Sequence, residues 1–362
     1  MQDRQRVRYL QVPDGTRLAW AEAGRGQVLV KAANWLTHLE YEWTSPVWQH
    51  WVRYFGERCR FVRYDERGCG MSDWRTGPPN LDVWADDLAA VIAAAARDSP
   101  VALLGISQGA ATCIEYARRH PGRVSRLVLY GGYARGAFRR GTPDAEAAYR
   151  AMVELARVAW NSDNPSFRQV FTSRFIPGGT AGQLDWYNEL SRRVVSGSVA
   201  AALMAARAEV DVSAHLAGIR CPTLVLHARG DQVVPVEEGR ILATGIPGAT
   251  FVELDSANHV LLAHEPAWRR FRDEVSAFLG FGREGGDAAL ATLSPREREV
   301  LALLAEGLGN ADIARRLGIS EKTVRNHASQ LFDKLGVGSR TQAVVYARDC
   351  GFPQTAPLEP PG

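Results

Sequence analysis

The sequence predicts an α/β fold, in which a doubly wound and mostly parallel sheet carries a helical cap and is followed by a small all-α domain. Over the first 280 residues, short apolar segments alternate with amphipathic segments of helical length, which is typical of βαβ units around a parallel sheet. The alternation stops at about 133–212, where only helical periodicity is present, so this region is predicted to be a cap. After the glycine-rich stretch 280–286, every segment has the length of a short helix.

The elements of the sheet follow from apolar runs bounded by turn residues. Residues 6–32 predict two or three strands, with the turn sequence Pro-Asp-Gly-Thr after the first. Further strands are predicted at 59–65, 101–107, 123–132, 222–228 and 249–255. Helices are predicted at 80–99, 107–120, near 236–246 and at 265–279, and Asn80 is expected to cap the first of them.

The composition describes an ordinary globular protein, with 46% hydrophobic and 23% charged residues. The net charge of +3 permits nucleic-acid binding without indicating it, because the position of the charges decides. The five cysteines are scattered and form no C-x-x-C pair, which argues against a disulfide framework or a zinc site. The N-terminus has no apolar segment typical of a signal peptide, and no apolar run is long enough to cross a membrane. The sequence therefore predicts a cytoplasmic protein without a metal or cofactor.

Residues 105–109 have the sequence Gly-Ile-Ser-Gln-Gly, which matches the G-x-S-x-G pattern of a nucleophile elbow. The pattern lies where an apolar strand meets a helix, and its small residues allow the sharp turn that exposes a serine hydroxyl. An ordinary glycine-rich turn between strand and helix is the alternative. The context favours Ser107 as a nucleophile.

A serine nucleophile needs a base, and the base needs a group that orients it. Asp231 follows the predicted strand at 222–228, and His259 follows the one at 249–255. Since the carboxyl ends of parallel strands meet at one edge of a sheet, both side chains are expected near Ser107. The chain order of serine, acid and histidine is the order found in sheets with a nucleophile elbow. We therefore predict Ser107, Asp231 and His259 as a catalytic triad.

Residues 1 to about 280 resemble the α/β-hydrolase superfamily. The segment YDERGCGMSDW at 64–74 is similar to its D-x-R-G-x-G-x-S motif, and HARGDQVVP and ANHVLLAHEPAW resemble the segments that carry its acid and histidine. The segment NWLTHLEYEW resembles hydrolase domains fused to nucleotide cyclases or regulators. The resemblance implies that the backbone N–H groups of Trp35 and Gln108 form the oxyanion hole. In place of the His-Gly usual before this loop, the chain has Ala33-Asn34, and the asparagine side chain is expected to affect the path of the loop.

Aromatic residues near the predicted oxyanion loop and in the cap are candidates for a ligand pocket. Core packing is the alternative, and it explains Trp48 and Trp51 best. The predicted pocket residues are Trp43, Trp160 and Trp186. We expect a small, apolar and uncharged ligand.

The C-terminal segment carries an ordered set of helix caps. Ser294, Pro295 and Glu297 form a predicted capping box, and Asn310 is expected to cap a second short helix that ends at Gly318. Ser320 then caps a longer helix. Two short helices joined by a turn with glycine form a helix-turn-helix, although a solvated amphipathic helix is the alternative for any single one.

This segment is similar to the LuxR-type helix-turn-helix domain over about 60 residues. The motifs L-S-x-R-E-x-E-V-L, N-x-x-I-A-x-x-L, S-x-K-T-V-x-N-H and K-L-G-V all occur. The resemblance implies a bacterial transcription regulator that binds double-stranded DNA, with a last helix at 341–348 that pairs two copies into a homodimer. By the same resemblance, the residues placed for base contacts are Arg325, Asn326 and Ser329, and those placed for backbone contacts are Lys322, Thr323 and His327.

The predicted domains are a hydrolase-like domain at 1–280, a linker at 281–290, a DNA-binding domain at 291–352 and a disordered tail at 353–362. Two functional hypotheses remain open. In the first, the chain is a transcription regulator whose hydrolase-like domain senses, and slowly hydrolyses, a small ligand. In the second, the chain is an active serine hydrolase of esterase or acyl-transfer type, and its DNA-binding tail localises or controls it.

Overall fold

A computed structural model of the chain describes residues 5–141, 143–281, 290 and 292–349. The chain divides into two compact units, Met1–Val275 and Ser276–Gly362. The predicted tail, and all but the two ends of the predicted linker, lie outside the described residues.

The larger unit is built on an eight-stranded sheet with the order β1-β2-β4-β3-β5-β6-β7-β8. Strands β1 and β2 pair antiparallel, as do β2 and β4, whereas all pairs from β4 through β8 are parallel. The strands are Arg6–Gln11, Arg17–Ala23, Val28–Lys31, Arg60–Tyr64, Val101–Ile106, Val124–Tyr130, Thr223–Ala228 and Thr250–Leu254. The predicted mostly parallel α/β fold is confirmed, and residues 6–32 contain three strands.

Helices cover the sheet because their apolar faces are buried against it. Asn80 caps α3 as predicted, since its side chain accepts a hydrogen bond of 3.0 Å from the Val83 amide. Trp51 of α2 packs on Tyr130 of the sheet and on Trp268 of α10, in accordance with the core-packing alternative. These helices are α1 Leu39–Trp43, α2 Gln49–Gly56, α3 Leu81–Ala96, α4 Gly109–Arg119, α9 Val236–Gly245 and α10 Pro266–Leu279.

Between β6 and β7 the described residues form a helical layer. It consists of α5 Pro143–Ala159, α6 Ser166–Phe175, α7 Ala181–Val194 and α8 Gly197–Ala208. The layer is held internally by the buried Arg168, which donates to the carbonyls of Trp160, Ser162 and Asn188. One of its links to the sheet is the carbonyl of Phe175, which accepts a 2.8 Å hydrogen bond from the backbone amide of His259. The cap is therefore tied to the loop that carries the predicted histidine.

The smaller unit contains α11 Pro295–Ala305, α12 Asn310–Leu317, α13 Glu321–Leu335 and α14 Arg340–Asp349. Its core is formed by apolar side chains from all four helices, among them Val300, Leu301, Leu304, Ile313, Val324, Leu331, Leu335 and Ala343. Within 5–141, 143–281, 290 and 292–349, no helix is both long enough and apolar enough to cross a membrane.

The caps of the smaller unit follow the prediction with one correction. Ser294 and Glu297 form both bonds of the capping box, and Ser320 caps α13 by accepting from the Thr323 amide. Asn310, however, is the first helical residue of α12 and not its cap, because Gly309 occupies the capping position. The Asn310 side chain instead accepts a hydrogen bond from Arg340 of α14.

Candidate active site and DNA-binding helix

Ser107 lies in the turn between β5 and α4 with a left-handed backbone, at φ +55°. A non-glycine residue in this region is strained, and the neighbouring glycines explain how the turn is tolerated. A Cβ atom on Gly105 would lie 2.6 Å from the Ala110 Cα, and one on Gly109 would lie 3.2 Å from the Ala33 carbonyl oxygen. The turn is therefore as tight as the predicted nucleophile elbow requires, and it leaves the Ser107 side chain lining a cavity.

The structure brings Asp231 and His259 into direct contact. The Nδ1 of His259 lies 2.6 Å from Oδ2 of Asp231, and because a carboxylate only accepts, the imidazole donates. Oδ1 of Asp231 accepts from the amides of Val233 at 2.7 Å and Val234 at 3.0 Å. The carboxylate is thus held on both oxygens, and the histidine is held in the tautomer whose Nε2 carries a lone pair.

The electrostatics of this pair favour an ionised carboxylate. Burial alone would raise the pKa of Asp231, but the adjacent His259, then His227 and the Val234 amide outweigh it and lower that pKa. Sequence reasoning missed His227, which is buried in β7 with Nε2 3.6 Å from Asp231 and hydrogen-bonded to the Val234 carbonyl. Desolvation lowers the pKa of His227, so at neutral pH it is an uncharged residue behind the carboxylate.

The remaining nitrogen of His259 is available for chemistry. Its Nε2 is buried and has no hydrogen-bond partner within the described residues, so Ser107 does not donate to it in this structure. Catalytic hydrogen bonds are often long in the absence of a substrate. Ser107 lines the cavity, and an unpaired imidazole nitrogen is what a general base presents before a proton is offered to it.

Two glycines at the end of β6 make room for these side chains. Gly131 has φ +54°, and a Cβ atom there would lie 3.2 Å from Cε1 of His259 and 3.5 Å from Oδ2 of Asp231. A Cβ on Gly132 would lie 2.3 Å from that of Ala110 in α4. Sequence reasoning treated this pair as part of a strand, although two adjacent glycines after an apolar run are a sign of close approach.

The two predicted oxyanion donors lie in suitable loops. Trp35 and Gln108 both line the cavity with Ser107, and neither backbone amide has an acceptor within the described residues. The side chain of Asn34 is buried and turns into the protein, where it accepts from Lys31 and donates to the Trp35 carbonyl at 3.0 Å. Asn34 therefore holds this loop in place through hydrogen bonds on its buried side.

The three tryptophans predicted for the pocket do not line the cavity, and this prediction was wrong. Trp160 is buried behind Trp35, at 5.5 Å between ring centroids, and donates to the Ser191 carbonyl. Trp186 stacks on Tyr41 at 5.2 Å, and Trp43 ends α1 away from the cavity. Aromatic character alone could not separate packing from binding, because both bury rings.

The cavity walls come mainly from cap residues that sequence reasoning did not select. The cavity has a volume of about 70 Å³, which is enough for a few water molecules or a small ligand. The apolar and aromatic walls are Tyr133, Tyr149, Met152, Phe171, Phe175, Met204, Val233 and Val234. Three arginines, Arg140, Arg174 and Arg207, also line it. Within the part of the chain that the structure describes, no cluster of His, Cys, Asp or Glu could hold a metal ion.

The predicted recognition helix, α13, presents its polar residues on one side. Val324, Ala328, Leu331 and Leu335 are buried against the other helices. The side chains predicted for base contacts, Arg325, Asn326 and Ser329, are exposed, as is Lys322, while Thr323 and His327 are half-buried. Lys334, farther along the helix, is paired with Glu297 of the capping box at 2.7 Å and so orients α13 against α11.

Comparison with known proteins agrees with both units. Residues 41–267 match the family described as serine aminopeptidase, S33, and residues 291–347 match bacterial regulatory proteins of the luxR family. The AB hydrolase superfamily protein YisY of Bacillus subtilis is 27% identical over 264 residues, covering 69% of this chain and 91% of YisY. The probable HTH-type transcriptional regulator GfsR of Streptomyces halstedii is 47% identical over 64 residues, covering 18% of this chain and 26% of GfsR.

Among solved structures, the esterase RhEst1 from Rhodococcus sp. ECU1013 superposes with a TM-score of 0.63 and 26% identity, covering 76% of this chain and 98% of that one. The matched hydrolase family covers more than half of the 362 residues. The chain therefore belongs to the α/β hydrolases, in the family described as serine aminopeptidase S33, and it carries a C-terminal DNA-binding domain of the LuxR type.

Proposed function

We propose that this chain is a transcription regulator whose hydrolase domain binds a small ligand at Ser107 and slowly hydrolyses it. The observation that carries the proposal is the presence, in one chain, of an oriented Asp231–His259 pair, of Ser107 in a strained turn at a cavity, and of a helix with an exposed, polar side in a LuxR-type domain. A binding site that responds to a ligand gives a DNA-binding domain a signal to report.

In the proposed chemistry, Ser107 Oγ attacks the carbonyl carbon of an ester while His259 Nε2 accepts the hydroxyl proton. The negative charge on the carbonyl oxygen is stabilised by the amides of Trp35 and Gln108, each worth about 2.7–4 kcal/mol by analogy with such donors elsewhere. The tetrahedral intermediate then expels the alcohol, which takes the proton from His259. Water repeats the steps on the acyl-enzyme and releases the acid, with Asp231 stabilising the imidazolium each time.

For DNA, we propose that Arg325, Asn326 and Ser329 contact base edges in the major groove and that Lys322, Thr323 and His327 contact the phosphate backbone. Arginine and asparagine have the donor geometry that distinguishes guanine and adenine there. The segment 293–352 has nine Lys or Arg and seven Asp or Glu, so its net charge of about +2 favours weak binding by a single copy. We therefore propose a homodimer on half-sites about 34–36 Å apart.

The second candidate is a working serine hydrolase whose DNA-binding domain only localises it. The buried Nε2 of His259, which has no hydrogen-bond partner within the described residues, favours this candidate, because a pure sensor has no need of an available base. The two candidates differ in turnover. A regulator with slow hydrolysis is expected to turn over well below the rates of about 1–10³ s⁻¹ at which most enzymes work.

The proposal is tested by two measurements on the full-length chain. A fluorophosphonate should label the wild type at one site, and Ser107→Ala should not be labelled, whereas Ser173→Ala on the exposed surface of the cap should be labelled normally. Selection from a random DNA pool should enrich a palindromic site. Absence of labelling would contradict the hydrolytic half of the proposal, and absence of enrichment would contradict the regulatory half.

A further inference from the structure

The cavity beside Ser107 contains more positive charge than its carboxylates balance. Arg140, Arg174 and Arg207 line it together with Ser107 and apolar walls. They come from different elements of the cap, since Arg140 follows the short helix Ala137–Arg139, Arg174 lies in α6 and Arg207 in α8. The net charge of the cavity therefore depends on which of these arginines is paired with a carboxylate.

Arg207 is the most buried of the three, with 5% of its surface exposed. Its Nη2 is paired with Glu66, which is buried as well. Its Nε and Nη1 have no hydrogen-bond partner within the described residues. The guanidinium lies 4.8 Å from the ring centre of Trp35, beside the proposed oxyanion loop. Arg207 is thus neutralised in charge but keeps two unused, buried donors at the cavity.

Arg174 has no carboxylate within salt-bridge distance among the described residues. Its Nε and Nη2 donate to the Gln232 carbonyl, and its Nη1 lies 2.9 Å from the Met152 sulfur. Burial lowers the pKa of Arg174, although a guanidinium stays charged at any physiological pH. A carbonyl and a thioether hold the side chain in place. Asp231 acts on the guanidinium electrostatically but is hydrogen-bonded to His259, so Arg174 has no carboxylate paired with it directly.

Arg140 is only weakly balanced. Its Nε donates to the Arg135 carbonyl at 2.9 Å, and the nearest carboxylate oxygen, Oε1 of Glu238, lies 4.0 Å away. That same oxygen already accepts two hydrogen bonds from the guanidinium of Arg135, at 2.9 and 3.1 Å. Glu66 is therefore already paired with Arg207, and Glu238 with Arg135. Arg140 and Arg174 remain at the cavity without a carboxylate of their own.

The hydroxyl of Tyr149 lies within electrostatic reach of all three cations. Burial raises the pKa of Tyr149, and Arg207, Arg140 and Arg174 each oppose that change. The Tyr149 hydroxyl is only loosely hydrogen-bonded, to the Met204 carbonyl at 3.5 Å. The three arginines and Tyr149 thus line the same cavity, with the guanidinium groups near enough to act on this hydroxyl.

We propose that the part of this cavity lined by Arg140, Arg174 and Arg207 is an anion site, and that the ligand is a small ester or lactone that bears a carboxylate. The inference rests on the proposed function, since Ser107 defines where the scissile carbonyl lies. A carboxylate accepts charge-assisted hydrogen bonds from guanidinium groups. Arg207 has two unused donors for such bonds, and Arg174 and Arg140 have no closely paired carboxylate. A neutral apolar ligand, as expected from the sequence, would cover the half-buried Arg140 and Arg174 without pairing their charges.

The test compares two stable probes that differ in one ester methyl group and therefore in this charge. Monomethyl glutarate carries one carboxylate and one methyl ester, and dimethyl glutarate replaces the carboxylate with a second methyl ester. Both are titrated by calorimetry into full-length Ser107→Ala at pH 7.5, so that binding is measured without hydrolysis. We expect the anionic probe to bind at least about tenfold more tightly, the effect of one charge-assisted hydrogen-bonded pair.

Arginine variants then locate the preference. In the Ser107→Ala chain, Arg174→Gln and Arg140→Gln should each reduce the preference at least about threefold, and Arg174→Lys should keep part of it. Arg157→Gln is the matched control, because Arg157 lies on the exposed side of α5 and pairs there with Glu154. Melting curves of all variants establish that each is folded.

Equal affinity for the two probes, failure of monomethyl glutarate to bind at 10 mM, or a preference that survives both glutamine variants would each overturn the anion site. The outcome is independent of turnover. Fluorophosphonate labelling of the wild type without an anionic preference contradicts only the anion site, and a preference without labelling contradicts only the proposed hydrolysis.

Discussion

The two units of this chain assemble their working residues in opposite ways. The residues of the candidate active site, Ser107, Asp231 and His259, are far apart in sequence, and each follows a strand of the parallel part of the sheet. Asp231 and His259 are in hydrogen-bond contact because their strands end at the same edge. The candidate DNA-contacting residues lie within 322–329, on a single helix. The first site therefore depends on the whole sheet and cap, and the second depends on how one helix is capped and anchored.

Because the candidate active site depends on contacts between distant segments, a single substitution there should have the largest effect on activity. Asp231→Asn removes the acceptor that holds His259 in its working tautomer, and we expect kcat for 4-nitrophenyl acetate to fall about 10⁴-fold with little change in KM. Asp255→Asn, an exposed carboxylate near Arg229, is the matched control and should stay within twofold. A loss below tenfold for Asp231→Asn would mean that the pair is structural and not catalytic.

Lys31 in the larger unit is buried and Lys322 in the smaller unit is exposed, so the two lysines should affect stability differently as the pH changes. Burial lowers the pKa of Lys31 from 10.5 to about 8, and in this window the folded chain binds fewer protons than the unfolded one. The contribution of Lys31 to the free energy of unfolding of the larger unit should therefore rise with pH between 8 and 10.5, by up to about 3 kcal/mol. The buried thiols Cys59, Cys69 and Cys113, whose pKa values burial raises, contribute in the opposite direction, so the Lys31 contribution is measured as the difference between wild type and variant. Denaturation at several pH values, followed by tryptophan emission, measures this because all ten tryptophans lie between Trp20 and Trp268.

Lys31→Met should remove that rise, and Lys322→Met, which alters an exposed lysine of α13, should not. Identical pH dependence in the wild type and Lys31→Met would show that Lys31 keeps its ordinary proton affinity. The result also bears on the oxyanion loop, since Lys31 donates to Asn34.

Within α13, the two kinds of contact predict different patterns of loss. Arg325→Ala should weaken binding to the selected DNA by about 1–3 kcal/mol and relax the preference at one base position. Lys322→Ala should weaken all sequences alike and reduce the salt dependence. Binding isotherms on selected and scrambled DNA at several salt concentrations separate these cases, and equal losses on both DNAs for both variants would contradict the assigned roles.

A smaller effect on kcat is expected at Gly131, where the absence of a side chain leaves space for His259 and Asp231. Gly131→Ala places a methyl group 3.2 Å from the imidazole of His259 at a left-handed φ, which costs about 1–2 kcal/mol and should lower kcat several-fold. Gly122→Ala has the same backbone strain but open space around it, so it should lose stability without losing kcat. Stability from denaturation and kcat from ester hydrolysis distinguish the two, and equal kcat in both variants would contradict the close-approach role of Gly131.

Features that depend on neighbouring residues in the sequence, such as strand ends and helix caps, were predictable. Ser107, Asp231 and His259 each follow an apolar strand, and the topology of a parallel sheet then brings the ends together. The capping serines of α11 and α13 and the buried stripe of α13 were predictable for the same reason.

The cavity walls were not predictable, because they depend on pairings between distant segments. Arg207 meets Glu66 across 141 positions, and nothing near either residue indicates the other. Trp160 and Trp186 have the composition of pocket residues but pack on Trp35 and Tyr41. Burial, and not residue type, decides whether a ring binds a ligand or fills a core.

The central claim is that occupation of the hydrolase site alters DNA binding. The direct test is the Kd of the full-length wild type for its selected DNA before and after complete reaction with a fluorophosphonate, which fills the cavity covalently at Ser107. Ser107→Ala treated with the same reagent is the control. The account predicts a change of at least about fivefold in the wild type and none in the control. A labelled wild type whose Kd stays within twofold of the unlabelled protein would contradict it.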